Sequence, residues 1–322
     1  MDRIIKHVHL QITRNCNLRC PFCGQWGKKG FFADSAGTEM ELADWQRIIK
    51  ELTEYRMKSK SDICVTVWGG EPLVSPYFDE IMTQLKYNGF TTEVITNGVL
   101  IDRHNDIIKT KADRLYVSID GPRTIHDTIR GKGVFDKVKD NLLSLKHSHV
   151  IVMSVITPGL LQELPQFLDE LDTFGIKELY LQDMIGLTTA ETEQYKAWMK
   201  DKFGIDAVNI DSWENNDKIN YSNETDSVLN SIDTSRLSYT ALHKSHRINP
   251  QIQCTSPYNH VHIAWNGNVL YCTDFYDFAA GNVHTDTVES IFLNEISESY
   301  RAEVSKNNCP TCKHCSWRIT EF

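Results

Sequence analysis

The sequence predicts an α/β fold: a partial barrel of six β–α units with a small hairpin–helix module at the C-terminal end. Three observations carry this. From the N-terminus to about residue 182, short apolar β-prone runs alternate with segments of helical period. Residues suited to chemistry recur just after those runs, in the cysteine loop, at Gly69-Gly70-Glu71, at Thr96-Asn97-Gly98 and at Asp120-Gly121. In α/β sheets that rim, the C-terminal ends of the strands, is where function sits. Of the nine cysteines, three fall within residues 16–23 and five within 254–315, and only Cys64 stands apart.

The elements follow in order. VHLQIT (8–13) reads as a strand that runs into the first cysteine loop. Thr38 and Glu41 have the spacing of a capping box, and Leu42, Trp45, Ile48, Ile49 and Leu52 then recur at helical period. Strands are expected at 63–68, 92–96, 114–119, 150–156 and 178–182, with helices at 78–87, near 102–109, at 134–146 and at about 161–173. Residues 186–250 are polar, with one clear helix from Ala190 to Lys202, and read as a bridge. Beyond it, Asn266-Gly267 between two alternating runs is a strong hairpin signal. A helix over about 287–303 precedes the last cysteines. The expected division is therefore a barrel at 1–185, a bridging region at 186–250 and a C-terminal module at 251–322.

Composition narrows the function. Hydrophobic residues make up 41% and charged residues 24%, the profile of a globular chain. A formal net charge of −9 without a basic run argues against nucleic acid. No apolar run approaches the roughly 20 residues of a membrane span, and the start lacks a signal peptide. A cytoplasmic protein is expected, in which clustered thiols serve metal ligation rather than disulfides.

TRNCNLRCPFC places Cys16, Cys20 and Cys23 as C-x3-C-x2-C. Three thiolates on a short loop can hold three irons of a cubane and leave the fourth open to a cofactor; a zinc site completed by His7 or His9 is the alternative on spacing alone. With Phe22 just before the third cysteine and WGGEPL after an apolar strand, residues 7–182 resemble the radical S-adenosylmethionine (radical SAM) superfamily. The resemblance implies a [4Fe–4S] cluster on Cys16, Cys20 and Cys23 whose open iron binds S-adenosylmethionine. It further implies that Phe22 packs near the adenine and that Gly69, Gly70 and Glu71 contact the methionine amino group. ITNG and VSIDGP resemble later strand ends of the family and make Asn97, Ser118 and Asp120 candidates for holding the cofactor. Arg130, in HDTIRGKGVF, is a candidate ion-pair partner of its carboxylate.

At the C-terminal end, Cys254 and Cys272 flank the hairpin, and NNCPTCKHCSW adds Cys309, Cys312 and Cys315. This resembles the SPASM or shorter Twitch extension, which holds auxiliary [4Fe–4S] clusters. Five cysteines suffice for one such cluster with one to spare, and structural zinc is the competing reading. Which of Cys309, Cys312 and Cys315 is spare stays open. Asp183, ending the sixth strand, and Asp274, two positions after Cys272, are candidate proton acceptors.

The function these motifs imply is reductive cleavage of S-adenosylmethionine to a 5′-deoxyadenosyl radical. Hydrogen abstraction and net oxidation of a ribosomal peptide or carbohydrate-type substrate would follow, served by an external electron donor such as flavodoxin or ferredoxin. Redox-neutral epimerisation, with Cys64 or the spare cysteine returning a hydrogen atom, is the alternative among enzymes. A non-catalytic iron–sulfur or zinc module is the alternative of another class.

Overall fold

In the computed structural model the described residues are 3–32, 38–215, 227–228, 231, 239–243 and 254–312. The six expected strands are present: β1 (His7–Gln11), β2 (Cys64–Trp68), β3 (Thr91–Thr96), β4 (Arg114–Ser118), β5 (Val150–Ile156) and β6 (Glu178–Asp183). Four more extend them, β7 (Tyr239–His243), β8 (His260–Ile263), β9 (Asn268–Leu270) and β10 (Gly281–Asn282). All ten form one open sheet in the order β10-β9-β8-β1-β2-β3-β4-β5-β6-β7. From β8 to β7 the pairing is parallel, whereas β9 and β10 add antiparallel. The hairpin's first strand thus continues the barrel sheet, with His7, Val8, His9 and Leu10 beside His260, Val261, His262 and Ile263.

Helices α1 (Leu42–Ser59), α2 (Phe78–Tyr87), α3 (Asn105–Lys111), α5 (Val134–Leu145) and α6 (Pro158–Thr173) follow β1 to β5 in turn, with a short α4 (Arg123–Arg130) ahead of α5. Alternation along each strand sorts the side chains. Val8, Leu10, Val65 and Val67 are buried together with Trp45, Ile48, Ile49 and Leu52 of α1 in the apolar core. The opposite strand faces carry His7, His9, Thr66, Glu93, Arg114 and Tyr116 into the interior of the barrel. Ile95, Ile151 and Met153 share that interior with them, so polar groups sit there on a largely apolar wall.

Helix α1 is capped differently from the expectation. Glu41 is the N-cap in extended conformation, and its box partner is Asp44. Thr38 does not serve because the chain just after it is committed elsewhere: Glu39 accepts from Thr13 Oγ1 at 2.9 Å and from the Arg14 N–H at 2.7 Å, pinning the start of the cysteine loop. After α7 (Thr189–Phe203) and a short α8 (Ser256–Asn259), the single helix expected over 287–303 is two. Asn294 breaks it into α9 (Val288–Leu293) and α10 (Glu295–Val304), because its side chain caps the second by accepting from the Ser297 N–H at 2.8 Å. No helix among the described residues is long and apolar enough to cross a membrane.

Candidate active site

The cysteine loop leaves β1 and folds back under the ends of β2 and β3. Trp26 Nε1 donates to the Arg14 carbonyl at 2.6 Å, and the Cys23 N–H to the Cys20 carbonyl at 3.1 Å. Cys16, Cys20 and Cys23 lie within electrostatic reach of one another. Burial pushes the Cys16 thiol up to about 11, so a thiolate there needs compensating positive charge. Donors are aimed at two of the sulfurs, from the Leu18 N–H to Cys16 Sγ and from the Trp26 N–H to Cys23 Sγ, each at 3.4 Å. Phe22 is half-buried beside them.

At the end of β2 the chain comes very close to the loop. A Cβ on Gly69 would sit 2.5 Å from the Thr13 carbonyl, and one on Gly70 would sit 2.3 Å from that of Arg14. Glycine is therefore required here to let two backbones touch. Glu71, 1% exposed, accepts from Thr96 Oγ1 and the Asn97 N–H at 2.7 Å and from the Leu73 N–H at 3.1 Å. Burial raises its carboxyl to about 7 against the pull of those hydrogen bonds. The carboxylate ties β2 to β3 from below.

Asp120, a candidate for holding the cofactor, is tied into the protein. It is fully buried, with Oδ2 accepting from Arg130 Nε at 2.6 Å and Oδ1 from the Val155 N–H at 2.9 Å. The enclosed carboxylate holds Arg130. The Arg130 charge in turn acts on Cys20, whose thiol it pulls down against the larger effect of burial. Asn97 is 6% exposed, with its backbone N–H on Glu71, Nδ2 on Asn17 and Oδ1 accepting from the Val99 N–H. Ser118 is half-buried at the end of β4.

The second cysteine group borders the barrel interior. A cavity of about 500 Å³ is lined by Cys254, Cys272 and Cys312 on one side and by Glu93, Arg114 and Tyr116 on the other. Cys309, Cys312 and Cys272 all act electrostatically on the buried Tyr300 of α10. Cys315 lies outside the described residues. Asp183 closes β6, and its side chain also lies outside them. Thr273 and Phe275 line the cavity and Asp274 between them does not; among the described residues the cavity-lining carboxylate is Glu93. The Asp274 backbone carbonyl accepts from Trp213 Nε1 at 2.8 Å.

Glu93 was missed from the sequence, although an acid in the apolar run TEVIT was a signal. It pairs with Arg114 and accepts from Thr66 Oγ1 at 2.9 Å. The repeated HVHL and HVHI segments at 7–10 and 260–263 were a second signal. Histidines of the two segments meet edge to face, His9 and His260 with ring centroids 4.3 Å apart.

The sequence profile of the radical SAM superfamily matches residues 10–174. The chain belongs to that superfamily. A second profile, SPASM, described as an iron–sulfur cluster-binding domain, matches residues 254–316 of this radical SAM protein. A tungsten-containing aldehyde ferredoxin oxidoreductase cofactor-modifying protein of Pyrococcus furiosus is 23% identical over 344 aligned positions, covering 98% of this chain and 88% of its own. A probable GTP 3′,8-cyclase of Methanopyrus kandleri is 27% identical over 199 residues, 57% of this chain and 59% of the cyclase, so the match spans less than two thirds of that relative. Among solved structures, SuiB of Streptococcus suis superposes with a TM-score of 0.67 at 14% identity, covering 98% of this chain and 72% of SuiB. anSMEcpe with bound AdoMet gives 0.63 at 17% identity, covering 98% and 89%. At these identities the likeness is one of fold, the open partial barrel of radical SAM type. Membership brings a [4Fe–4S] cluster and S-adenosylmethionine, and the SPASM domain brings auxiliary iron–sulfur. The donor set fits this: three neighbouring thiols on one loop, two with N–H groups directed at sulfur and a buried guanidinium alongside.

Proposed function

We propose that Cys16, Cys20 and Cys23 hold the catalytic cluster, and that the enzyme carries out a net oxidation of a peptide or carbohydrate-type substrate seated in the cavity of about 500 Å³. When bound, the cluster and S-adenosylmethionine supply a 5′-deoxyadenosyl radical, with the electron coming from an external donor of the flavodoxin or ferredoxin type. The observation that carries the oxidative reading is the cavity's wall: what sits there borders Cys254, Cys272 and Cys312. With Cys309 these give four thiols, enough for one auxiliary cubane that takes an electron. Phe22 and Ser118 flank the cofactor. Gly69, Gly70 and Glu71 hold the loop against β2, and Arg130, fixed by Asp120, offers its remaining N–H groups to a carboxylate. The role of proton acceptor passes from Asp274 to Glu93, the one carboxylate on the cavity wall among the described residues.

A second reading has its own observation. Cys64 is hydrogen-bonded to Glu93, and burial raises its thiol to about 12, so it keeps the hydrogen that an epimerase would return.

The two readings separate in D2O. Candidate peptides or sugars encoded or made by neighbouring genes are incubated with reconstituted enzyme. Net oxidation gives a product two hydrogens lighter, one 5′-deoxyadenosine per product and no solvent deuterium at the reacting carbon. Cys254→Ala and Cys272→Ala should lose product while retaining some uncoupled cleavage, with circular dichroism confirming that the hairpin is folded. A product of unchanged mass carrying one solvent deuterium contradicts oxidation and points to Cys64.

A further inference from the structure

Asn97 has the geometry of a relay between Glu71 and the cysteine loop. Its backbone N–H donates to Glu71 Oε2 at 2.7 Å, and its side-chain oxygen accepts from the Val99 N–H at 3.0 Å. That second bond settles which way the amide faces, since only the oxygen can accept from an N–H. Nδ2 and its two hydrogens are therefore turned to the cysteine loop. One reaches Asn17 Oδ1 at 2.8 Å, and Cys16 Sγ lies 3.9 Å from the same nitrogen.

The turn that presents this amide cannot slide. Gly98 takes φ +81°, and a Cβ there would meet Val117 and Val138 at 2.9 Å. Its N–H is held by Thr96 Oγ1 at 3.0 Å, the hydroxyl that itself donates to Glu71 Oε1. Glu71 has both oxygens engaged, so the end of β2 fixes the end of β3, and the end of β3 fixes a donor next to Cys16.

Hydrogen bonds to cluster sulfurs favour the more negatively charged, reduced state and raise the reduction potential. Cys16 receives the Leu18 N–H at 3.4 Å from its own loop. Asn97 adds a side-chain donor from another strand. We infer that Asn97, positioned by Glu71, tunes the cluster on Cys16 by donating toward its sulfur, and so sets how readily an external donor reduces it. This rests on the reading that Cys16, Cys20 and Cys23 hold that cluster. Glu71 is on this account a positioning residue acting through Asn97.

The test compares the reconstituted full chain with Asn97→Leu, Asn97→Asp, Asn97→Gln and Glu71→Gln in a redox titration followed by electron paramagnetic resonance, with iron measured in parallel. The signal that changes when S-adenosylmethionine is added reports the cluster under study rather than the auxiliary one. Asn97→Leu should shift its potential to more negative values, and Asn97→Asp should shift it further, because a carboxylate replaces the donor. Asn97→Gln should recover part of the shift, and Glu71→Gln should move it in the same direction as Asn97→Leu. A structural role alone would lower iron content without this ordering by charge. Potentials unchanged in Asn97→Leu and Asn97→Asp at full iron content overturn the inference. Should the aspartate variant lose iron, the comparison of Asn97→Leu with wild type decides. Wild-type protein without any S-adenosylmethionine-sensitive signal would instead overturn the assignment of the cluster.

Discussion

Glu71 shows what burial does to a residue whose motif was easy to see. As a sequence signal, Gly-Gly-Glu after an apolar strand was legible; that the carboxylate faces inward onto Thr96, Asn97 and Leu73 was not, because only the sheet brings β3 against β2. Glu71→Ala leaves three donors unpaired inside the protein, at roughly 1–3 kcal/mol for each buried orphan. A loss of about 3 kcal/mol or more in denaturant unfolding is expected, together with S-adenosylmethionine binding weakened by about tenfold in equilibrium dialysis, a 1.4 kcal/mol effect. His126 and His262, both fully buried, carry a pH dependence. Burial lowers them to about 4 and about 3. The folded state resists protonation and the unfolded state does not, so their contribution is complete above pH 6.5 and is lost as pH falls from there toward 4 and 3. Each removes up to about 1.4 kcal/mol per pH unit in that window. Melting temperatures should fall between pH 7 and pH 5, less steeply in His126→Gln; an equal slope in that variant would contradict the assignment.

At the scale of elements, periodicity located six strands and most helices, since apolar runs at period 2 and 3.6 respond to local burial alone. Pairing between distant segments is different. β7 lies in the polar stretch read as a bridge, and β8 was seen only as one arm of a hairpin, yet both join the parallel sheet at opposite ends of the β1–β6 array. Joining β8 to β1 brings Cys254 and Cys272 to the barrel, which is why the cavity touches them. The auxiliary module is tied down by Arg301 of α10, whose Nε donates to the Pro257 carbonyl at 2.7 Å and whose Nη2 donates to that of Phe292 at 2.6 Å. Arg301→Leu frees two buried carbonyls and should cost about 2–4 kcal/mol. Iron should then leave the auxiliary site first on mild heating, seen as loss of about half the iron with S-adenosylmethionine cleavage retained. Simultaneous loss from both sites would show that the module is not held independently.

For the whole molecule, the two cysteine groups were legible because metal ligation clusters thiols in sequence, whereas the interior between them was not. Glu93, Arg114 and Tyr116 reach that interior from β3 and β4, and no short motif announces them. Two cubanes imply about eight irons per chain after anaerobic reconstitution. Zinc in place of iron at the C-terminal cysteines would remove the auxiliary site from electron transfer. The most direct measurement of the central claim is reductive cleavage of S-adenosylmethionine under dithionite, comparing wild type with the Cys16→Ala, Cys20→Ala, Cys23→Ala triple variant. Wild type should form 5′-deoxyadenosine and methionine, and the triple variant should form neither while keeping about four irons at the auxiliary site; undiminished 5′-deoxyadenosine from the triple variant would contradict the account.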